Sequence, residues 1–97
     1  LLSWYDPCSR VVLEATRWGI PSVTTTYNGA AEALEDGAGV VVHSPDSTRD
    51  VADTMAALAD PEQREAFADA CRSKADWLGL NRHVDELLKV YEQVRKA

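Results

Sequence analysis

Two acidic residues, Asp6 and Glu14, are separated by seven residues and stand where a turn leads into a helix. A carboxylate has enough acceptor sites to bind two neighbouring hydroxyl groups, such as those of a ribose. A glycoside hydrolase would instead place its two acids about 5–9.5 Å apart, on either side of the bond that it cleaves. Here one acid precedes a helix and the other lies within it, and a crevice with a phosphate-friendly turn at a helix start suits a nucleotide better than a glycoside.

Glu14 interrupts an apolar stretch, in which Val11, Val12, Leu13 and Ala15 predict a mostly buried helix. A buried carboxylate is costly unless it is paired or hydrogen-bonded. One interpretation is an ion pair along the helix, with Arg10 four residues before it or Arg17 three residues after it. The other is that Glu14 faces a ligand crevice and accepts hydrogen bonds from hydroxyl groups. The sequence leaves both open.

Other reactive or aromatic side chains have plainer expected roles. His43 ends a predicted strand and is more often structural than functional in such a place. Cys71 lies among alanines and is expected in the core, and His83 is expected at the surface. Trp77 and Tyr91 are expected in the core or in an interface. Of the three consecutive threonines, only Thr26 is placed to meet a ligand.

The elements that would position these residues alternate between strand and helix. Leu1, Leu2, Trp4 and Tyr5 predict the end of a buried strand, and Ser9 to Trp18 predict a helix that stops at Gly19. The next elements are expected at residues 22–26 (strand), 30–34 (short helix) and 39–43 (strand). This order is typical of half of a doubly wound parallel α/β sheet, in which ligands bind at the carboxyl ends of the strands.

Helices are predicted from there to the end of the chain. Asp46 or Ser47 is expected to cap the first of them. Asp60-Pro61 is a stronger start signal for the second, which is expected to run to about Leu78 and to stop at Gly79. The last helix carries an apolar stripe at steps of three and four, formed by Val84, Leu87, Leu88, Tyr91 and Val94.

The composition limits the class of protein. The 97 residues allow one domain, 45% are hydrophobic, and the net charge of −6 argues against nucleic acid as a partner. Cys8 and Cys71 are too few for a disulfide scaffold or a zinc site, so a reduced cytoplasmic setting is expected. The chain opens on Leu1, and its single methionine is Met55. We therefore expect it to be one incomplete domain, residues 1–97, of a larger protein.

The order of three motifs resembles a known family. D-P-C-S-R-V-V-L-E-A is followed by G-I-P-S-V-T-T and then by N-G-A-A-E. This resembles the donor-binding segment of retaining glycosyltransferases of the GT-B fold, family 4 above all, with its pattern E-P-F-G-x-V-x-x-E-A, G-x-P-V-V-A-T and G-G-x-x-E. The first motif also resembles that of bacterial envelope transferases, such as those that build the lipopolysaccharide core. The resemblance implies the C-terminal half of a GT-B donor domain, a partial Rossmann-like α-β-α sheet.

By position, the resemblance implies roles for individual residues. Glu14 matches the acid that binds the ribose, and Asp6 matches the acid that contacts the donor sugar and is the tentative catalytic group. The loop that receives the sugar and diphosphate corresponds to the main-chain amides of Cys8, Ser9, Arg10 and Val11. Asn28-Gly29 matches a further donor-binding turn. The alternative for Asp6 is a plain helix N-cap, with Pro7 at the first helical position.

Three positions depart from the family pattern. Asp6 replaces the usual glutamate and is one methylene shorter. Cys8-Ser9 stands where Phe-Gly is common, and Ser9 restricts a loop that glycine would leave free. Asn28-Gly29 stands where Gly-Gly is usual, a mild change because asparagine tolerates the left-handed region.

The resemblance implies a hexosyltransferase that uses a UDP-, ADP- or GDP-sugar as its donor substrate, without a metal or cofactor. The acceptor domain and the cations that neutralise the diphosphate would precede Leu1, so we expect the isolated chain to be inactive and to self-associate through its open sheet edge. A cytoplasmic location, with or without peripheral attachment of the whole enzyme to the inner face of the membrane, fits this interpretation. The alternative is a free-standing α/β module that binds a protein partner through its acidic surface and terminal helix.

Overall fold

The computed structural model describes all residues from Leu1 to Ala97 and contains the predicted alternation of elements. In chain order they are α1 (Arg10–Arg17), β1 (Ser22–Thr25), a 3-10 segment (Gly29–Gly37), β2 (Gly39–Val42), α2 (Thr48–Ala59), α3 (Pro61–Ser73) and α4 (Leu80–Lys96). None of these helices is long and apolar enough to cross a membrane.

The sheet is parallel, as predicted, but has two strands instead of three. β1 pairs with β2 so that Ser22 lies opposite Gly39 and Thr25 opposite Val42. The first five residues lie along the other edge of β1, where the main-chain nitrogen of Leu1 donates to the Val23 carbonyl at 2.8 Å.

The strand expected at the start of the chain does not form. The hydroxyl of Thr25 donates a hydrogen bond to the carbonyl oxygen of Ser3. In a paired strand this carbonyl would accept from a backbone amide instead. Only Asp6, which directly follows this segment, forms a bridge, and its partner is Asn28. The segment is also not buried, because the side chains of Leu1, Leu2, Trp4 and Tyr5 are all exposed.

Helix α1 begins and ends where the sequence predicts. The hydroxyl of Ser9 caps it by accepting from the amide of Val12 at 3.4 Å, and Gly19 follows it with a φ of 78°. The expectation of a mostly buried helix is wrong, because only Val12 and Thr16 are buried and Val11 is 65% exposed. One face of α1 therefore remains open.

The core is small and lies between α1, the 3-10 segment and α3. Val12, Ala30 and Leu34 form its buried cluster, against which Leu13 packs. Cys71 of α3 is fully buried, as expected, and its thiol lies 3.0 Å from the carbonyl oxygen of Ala38. This packing fixes the start of α1 against the 3-10 segment.

Helix α3 is shorter than predicted. Asp60 caps it through the amide of Glu62, but the helix ends at Ser73 and not near Leu78. There the backbone hydrogen bonds change from the i−4 pattern to the i−3 pattern of a 3-10 turn. The amides of Lys74 and Ala75 donate to the carbonyls of Cys71 and Arg72. Turns then lead into α4.

Helix α4 has the predicted apolar stripe but no buried residue. The five stripe residues are 39–68% exposed, from Leu87 to Val94. Tyr91 is 60% exposed and is therefore not part of the core. Helix α2 also differs from expectation in one detail, because its N-cap Ser47 makes no side-chain capping bond.

Candidate functional site

The side chain of Asn28 organises the turn between β1 and the 3-10 segment. Its Oδ1 accepts from the amides of Ser9, at 3.2 Å, and of Ala30, at 2.9 Å, while its Nδ2 donates to the Thr24 hydroxyl at 3.0 Å. Asn28 is 1% exposed. We call these four residues the Asn28 cluster. It ties the residue that caps α1 to the end of β1, and it uses both acceptor sites of the Asn28 carbonyl oxygen and one of the two N–H groups of its amide.

Gly29 is required by a close approach of two chain segments. A Cβ at this position would lie 1.8 Å from the carbonyl oxygen of Pro7, far inside contact distance. The Gly29 amide also donates to the carbonyl of Asp6 at 2.9 Å. The N-G turn therefore holds the loop of Asp6 and Pro7 in place.

The two departures from the family pattern at these turns fit the observed backbone. Asn28 has a φ of −106° and a ψ of 120°, so it does not use the left-handed region for which it was thought suitable. Ser9 has a φ of −69° and a ψ of 120°, an ordinary extended conformation that needs no glycine. In both places a polar side chain caps a helix start, which glycine could not do.

Asp6 lies in the loop before α1 and is not the helix N-cap. That position belongs to Ser9, so the capping interpretation of Asp6 is wrong. One carboxylate oxygen of Asp6 instead accepts from the amide of Cys8 at 3.1 Å, in a small turn of its own. Its main-chain amide donates to the Tyr27 carbonyl at 3.1 Å. The carboxylate is thus fixed in position at the partly exposed mouth of the loop.

The four main-chain amides at the start of α1 fall into two pairs. Those of Cys8 and Ser9 donate within the protein, to Asp6 and Asn28. Those of Arg10 and Val11 have no acceptor in the chain, and both residues are exposed. Unpaired amides at a helix N-terminus carry a partial positive charge and point out along the helix axis, which suits phosphate oxygens.

Glu14 is exposed, one turn further along α1. It forms no ion pair with Arg10 or Arg17, so the structure does not support the pairing interpretation. Its side chain lines a cleft between α1 and the beginning of α4. The carboxylate is therefore free to accept hydrogen bonds from outside the chain.

Several residues near the carboxyl ends of the strands serve the scaffold. The hydroxyl of Thr26 donates to the carbonyl of His43 at 2.7 Å, which joins the ends of the two strands.

The side chains of His43 and His83 are exposed. Among the ionisable groups, burial raises the pKa of the Cys71 thiol. No three His, Cys, Asp or Glu side chains lie close enough together to hold a metal ion.

Sequence reasoning missed two features of this region. Thr24 was assigned to the strand alone, although its hydroxyl is a member of the Asn28 cluster. The cleft beside Glu14 is also lined by Trp77, Arg82 and His83, which lie more than 60 residues further along the chain. No local pattern shows such an approach, because it depends on where α3 ends.

The family model of glycosyl transferases group 1 matches residues 1–74. Among curated proteins, spore coat protein SA of Bacillus subtilis is 32% identical over 95 residues, which are 95% of this chain and 25% of that protein. A D-inositol 3-phosphate glycosyltransferase of Nocardiopsis dassonvillei is 35% identical over 92 residues, 92% of this chain and 21% of that protein. The chain thus spans about a quarter of the length of these relatives.

Two solved structures, both GT-B glycosyltransferases, have the same fold. WaaG, a glycosyltransferase involved in lipopolysaccharide biosynthesis, matches with a TM-score of 0.70 and 30% identity over 77% of this chain and 21% of its own. Sucrose-phosphate synthase from Thermosynechococcus elongatus matches with a TM-score of 0.80 over 97% of this chain and 24% of its own, and at 21% identity it supports the fold alone. The α/β class and the resemblance to GT-B glycosyltransferases predicted from the motifs are therefore confirmed. On the family match over residues 1–74, together with this fold, the chain belongs to the group 1 glycosyl transferases.

Proposed function

We propose that this chain is the donor-binding segment of a retaining glycosyltransferase that transfers a sugar from a nucleoside diphosphate sugar to an acceptor. The observation that carries the proposal is the pair of unpaired amides of Arg10 and Val11, with Asp6 before them and Glu14 after them. The residues that we assign to donor binding are Asp6, Cys8, Ser9, Arg10, Val11, Glu14, Asn28 and Gly29.

The amides of Arg10 and Val11 would hold the diphosphate. During transfer, the bond between the anomeric carbon and the diphosphate oxygen breaks, and negative charge develops on the leaving group. Fixed amide donors stabilise such charge without having to reorganise. Cys8, Ser9, Asn28 and Gly29 would act by shaping this loop, because the amides of Cys8 and Ser9 and the Asn28 side chain are bonded within the protein.

Glu14 would bind the ribose. Its carboxylate is exposed and has no cationic partner, so both oxygens can accept from the two neighbouring ribose hydroxyls. It lies one helical turn from the amides of Arg10 and Val11, a rise of about 6 Å along the axis. Diphosphate and ribose are adjacent in a nucleotide, so this order along α1 matches the order of groups in the donor.

Asp6 would face the donor sugar. One of its oxygens is bonded to the Cys8 amide, and the other is left to accept from a sugar hydroxyl or to face the positive charge that develops at the anomeric carbon. We assign it the tentative catalytic role for this reason. The bond to Cys8 fixes the direction in which the shorter side chain presents its carboxylate.

We further propose that the isolated chain does not turn over, because the acceptor would be bound by another part of a longer protein. Cys8 is exposed and Cys71 is buried, and both are unpaired, which fits a reducing cytoplasm. The whole enzyme would work there, free or at the inner face of the membrane. Measurable transfer by the 97-residue chain would overturn this part of the proposal.

The helix amides can be tested by a substitution that removes one N–H group. Arg10 is the first residue of α1, and Ser9 before it has a ψ of 120°, a conformation that proline tolerates in its predecessor. We expect Arg10→Pro to weaken binding of UDP about fivefold or more, as for the loss of one hydrogen bond to a charged group. Arg10→Ala is the matched control, since it keeps the amide while removing the side chain. If both variants bind UDP equally well, the amide does not hold the diphosphate.

A further inference from the structure

A cleft of about 560 Å³ lies between α1 and the beginning of α4. This volume is within the ordinary range of small-molecule sites. Its walls carry Arg10 and Arg17 from α1, Arg82 and His83 from α4, and the acids Glu14 and Glu86. We call it the α1–α4 cleft.

The arginines of the α1–α4 cleft have no carboxylate partners. The five ion pairs of the chain lie elsewhere or involve other cations, and Glu86 pairs with Lys89 at 3.1 Å. Arg10, Arg17 and Arg82 therefore place three cations without ion pairs around one cavity that also carries two carboxylates, in a chain whose net charge is −6. Guanidinium groups are well suited to bind phosphoryl oxygens in pairs.

Arg82 is held in place by Trp77. Its guanidinium carbon lies 4.9 Å from the centre of the indole ring, and its Nη1 donates to the Trp77 carbonyl at 3.4 Å. The ammonium of Lys74 lies 5.6 Å from the same ring. Contacts of this kind orient a guanidinium while leaving other N–H groups free for a ligand.

The charges at the beginning of α4 oppose the rule for stable helices. The first turn contains Arg82 and His83 but no acidic residue, and the N-cap is Gly79, which has no capping side chain. Cations at the positive end of a helix are unfavourable, and an anion placed there is favourable. Two arginines of α1 line the same cleft as this helix end, so the stability of α4 does not account for the arrangement.

We propose that the α1–α4 cleft binds a terminal phosphate group, through Arg17, Arg82 and His83. The site goes beyond the proposed donor binding, because it does not use the amides of Arg10 and Val11. Glu14 lies in the cleft wall, which places the phosphoryl group beside the proposed ribose site. The phosphate group belongs to free inorganic phosphate or to a phosphorylated sugar substrate, and the two share the chemistry that these cations recognise.

The test is a titration of the 97-residue chain with inorganic phosphate at constant ionic strength, followed through the NMR signals of the Arg17 and Arg82 side chains and the Leu80 and Asn81 amides. We expect saturable shifts in all of them. Arg17→Gln and Arg82→Gln should each raise the Kd about fivefold or more, as for the loss of a charge-assisted bond. Since Arg82→Gln also loses the Trp77 contact, Arg17→Gln is the cleaner variant.

Arg49→Gln is the matched control. Arg49 stands in the first turn of α2, is exposed and has no ion pair, as is true of Arg82, and its replacement changes the net charge equally. We expect it to change the Kd less than twofold. Shifts that do not saturate, or an equal effect of Arg49→Gln, would overturn the site in favour of diffuse attraction.

A second titration with glucose 6-phosphate distinguishes the two sources of the phosphoryl group. Tighter binding than that of phosphate assigns the cleft to a phosphorylated substrate, and equal binding assigns it to free phosphate. Binding of UDP at the Arg10 and Val11 amides is measured separately in Arg17→Gln. Absence of phosphate binding in the α1–α4 cleft and absence of UDP binding at the α1 amides are therefore detected by separate measurements.

Discussion

The Asn28 cluster and helix α4 are stabilised in opposite ways. In the cluster, residues from Ser9 to Ala30 are joined by buried hydrogen bonds, and the neighbouring Gly29 backbone touches that of Pro7. Helix α4 has no buried residue, and both of its ion pairs join residues of the helix itself. The comparison shows where the chain holds a fixed geometry: at the loop that presents Asp6 and the α1 amides.

The largest effect is expected at Gly29. In Gly29→Ala the new methyl group would overlap the Pro7 carbonyl oxygen, so the loop must move or the fold is lost. We expect destabilisation of about 3–5 kcal/mol, in the range of severe core substitutions. Urea unfolding measures it, with Gly37→Ala as a comparison in which no atom lies within 4 Å but the φ of 83° is strained. A change below about 1 kcal/mol at Gly29 would show that the close approach is not required.

The next largest loss of unfolding free energy is expected at Asn28. Asn28→Ala leaves the amides of Ser9 and Ala30 without their acceptor in a buried setting, at a cost of about 2–4 kcal/mol in unfolding free energy. Asn28→Asp loses the donor to Thr24 and adds a buried charge, but it keeps the acceptor for two amides at helix starts, where a negative charge is favourable, so it should cost less. The two variants are compared by urea unfolding at neutral pH. Equal costs would contradict the assignment of the two amide bonds as the main interaction.

The next effect is expected at Cys71, which tests the packing of α3 against the residue before β2 and gives a pH dependence. Cys71→Ala removes a buried side chain and its contact with the Ala38 carbonyl, for which we expect about 1–2 kcal/mol. Burial raises the pKa of this thiol, so the folded state prefers the protonated form. The stabilisation is complete below the pKa of the unfolded chain and is lost as the pH rises above about 9.

The pH dependence is measured as a difference between two proteins. The unfolding free energy of the native chain should fall relative to that of Cys71→Ala as the pH is raised from 8 to about 10. Cys8→Ser is the control, because Cys8 is exposed and its replacement should leave the curve unchanged. A constant difference across this range would contradict the burial of the thiol.

The smallest effect is expected in α4. Leu88 is 55% exposed, so Leu88→Gln should change the unfolding free energy by about 0.5 kcal/mol or less. Leu34→Ala, at a buried core position, is the comparison and should cost about 2–4 kcal/mol. If Leu88→Gln costs as much as Leu34→Ala, the stripe is packed in solution and the contrast between the two regions fails.

Short-range signals account for what the sequence predicted well. The start of α1 near Ser9, the Asp60 cap, the Gly19 stop and the parallel order of strands depend on neighbouring residues and on periodicity, and all are found. The start of the chain was predicted wrongly. Its apolar composition does not reveal that the Thr25 hydroxyl donates to the Ser3 carbonyl, which a paired strand would bond to a backbone amide. The apolar stripe of α4 was identified correctly, but a pattern of spacing cannot show which surface covers it.

The candidate site was predicted in part for the same reason. The motifs located Asp6, Glu14 and the start of α1, which are close in sequence. The bonds from Asn28 to Ser9 and Thr24, and the contact of Gly29 with Pro7, join segments up to 22 residues apart. The approach of Arg82 to α1 depends on the end of α3, which the sequence placed five residues too late.

The central claim is that the start of α1 binds the diphosphate and ribose of a nucleotide sugar. The most direct measurement is an NMR titration of the 97-residue chain with UDP-glucose and, separately, with ADP-glucose. We predict saturable shifts of the Arg10 and Val11 amides and of the Glu14 side chain with at least one of the two donors, while α4 beyond its first turn stays unchanged. Shifts confined to α4, or none at α1 with either donor, would contradict the claim.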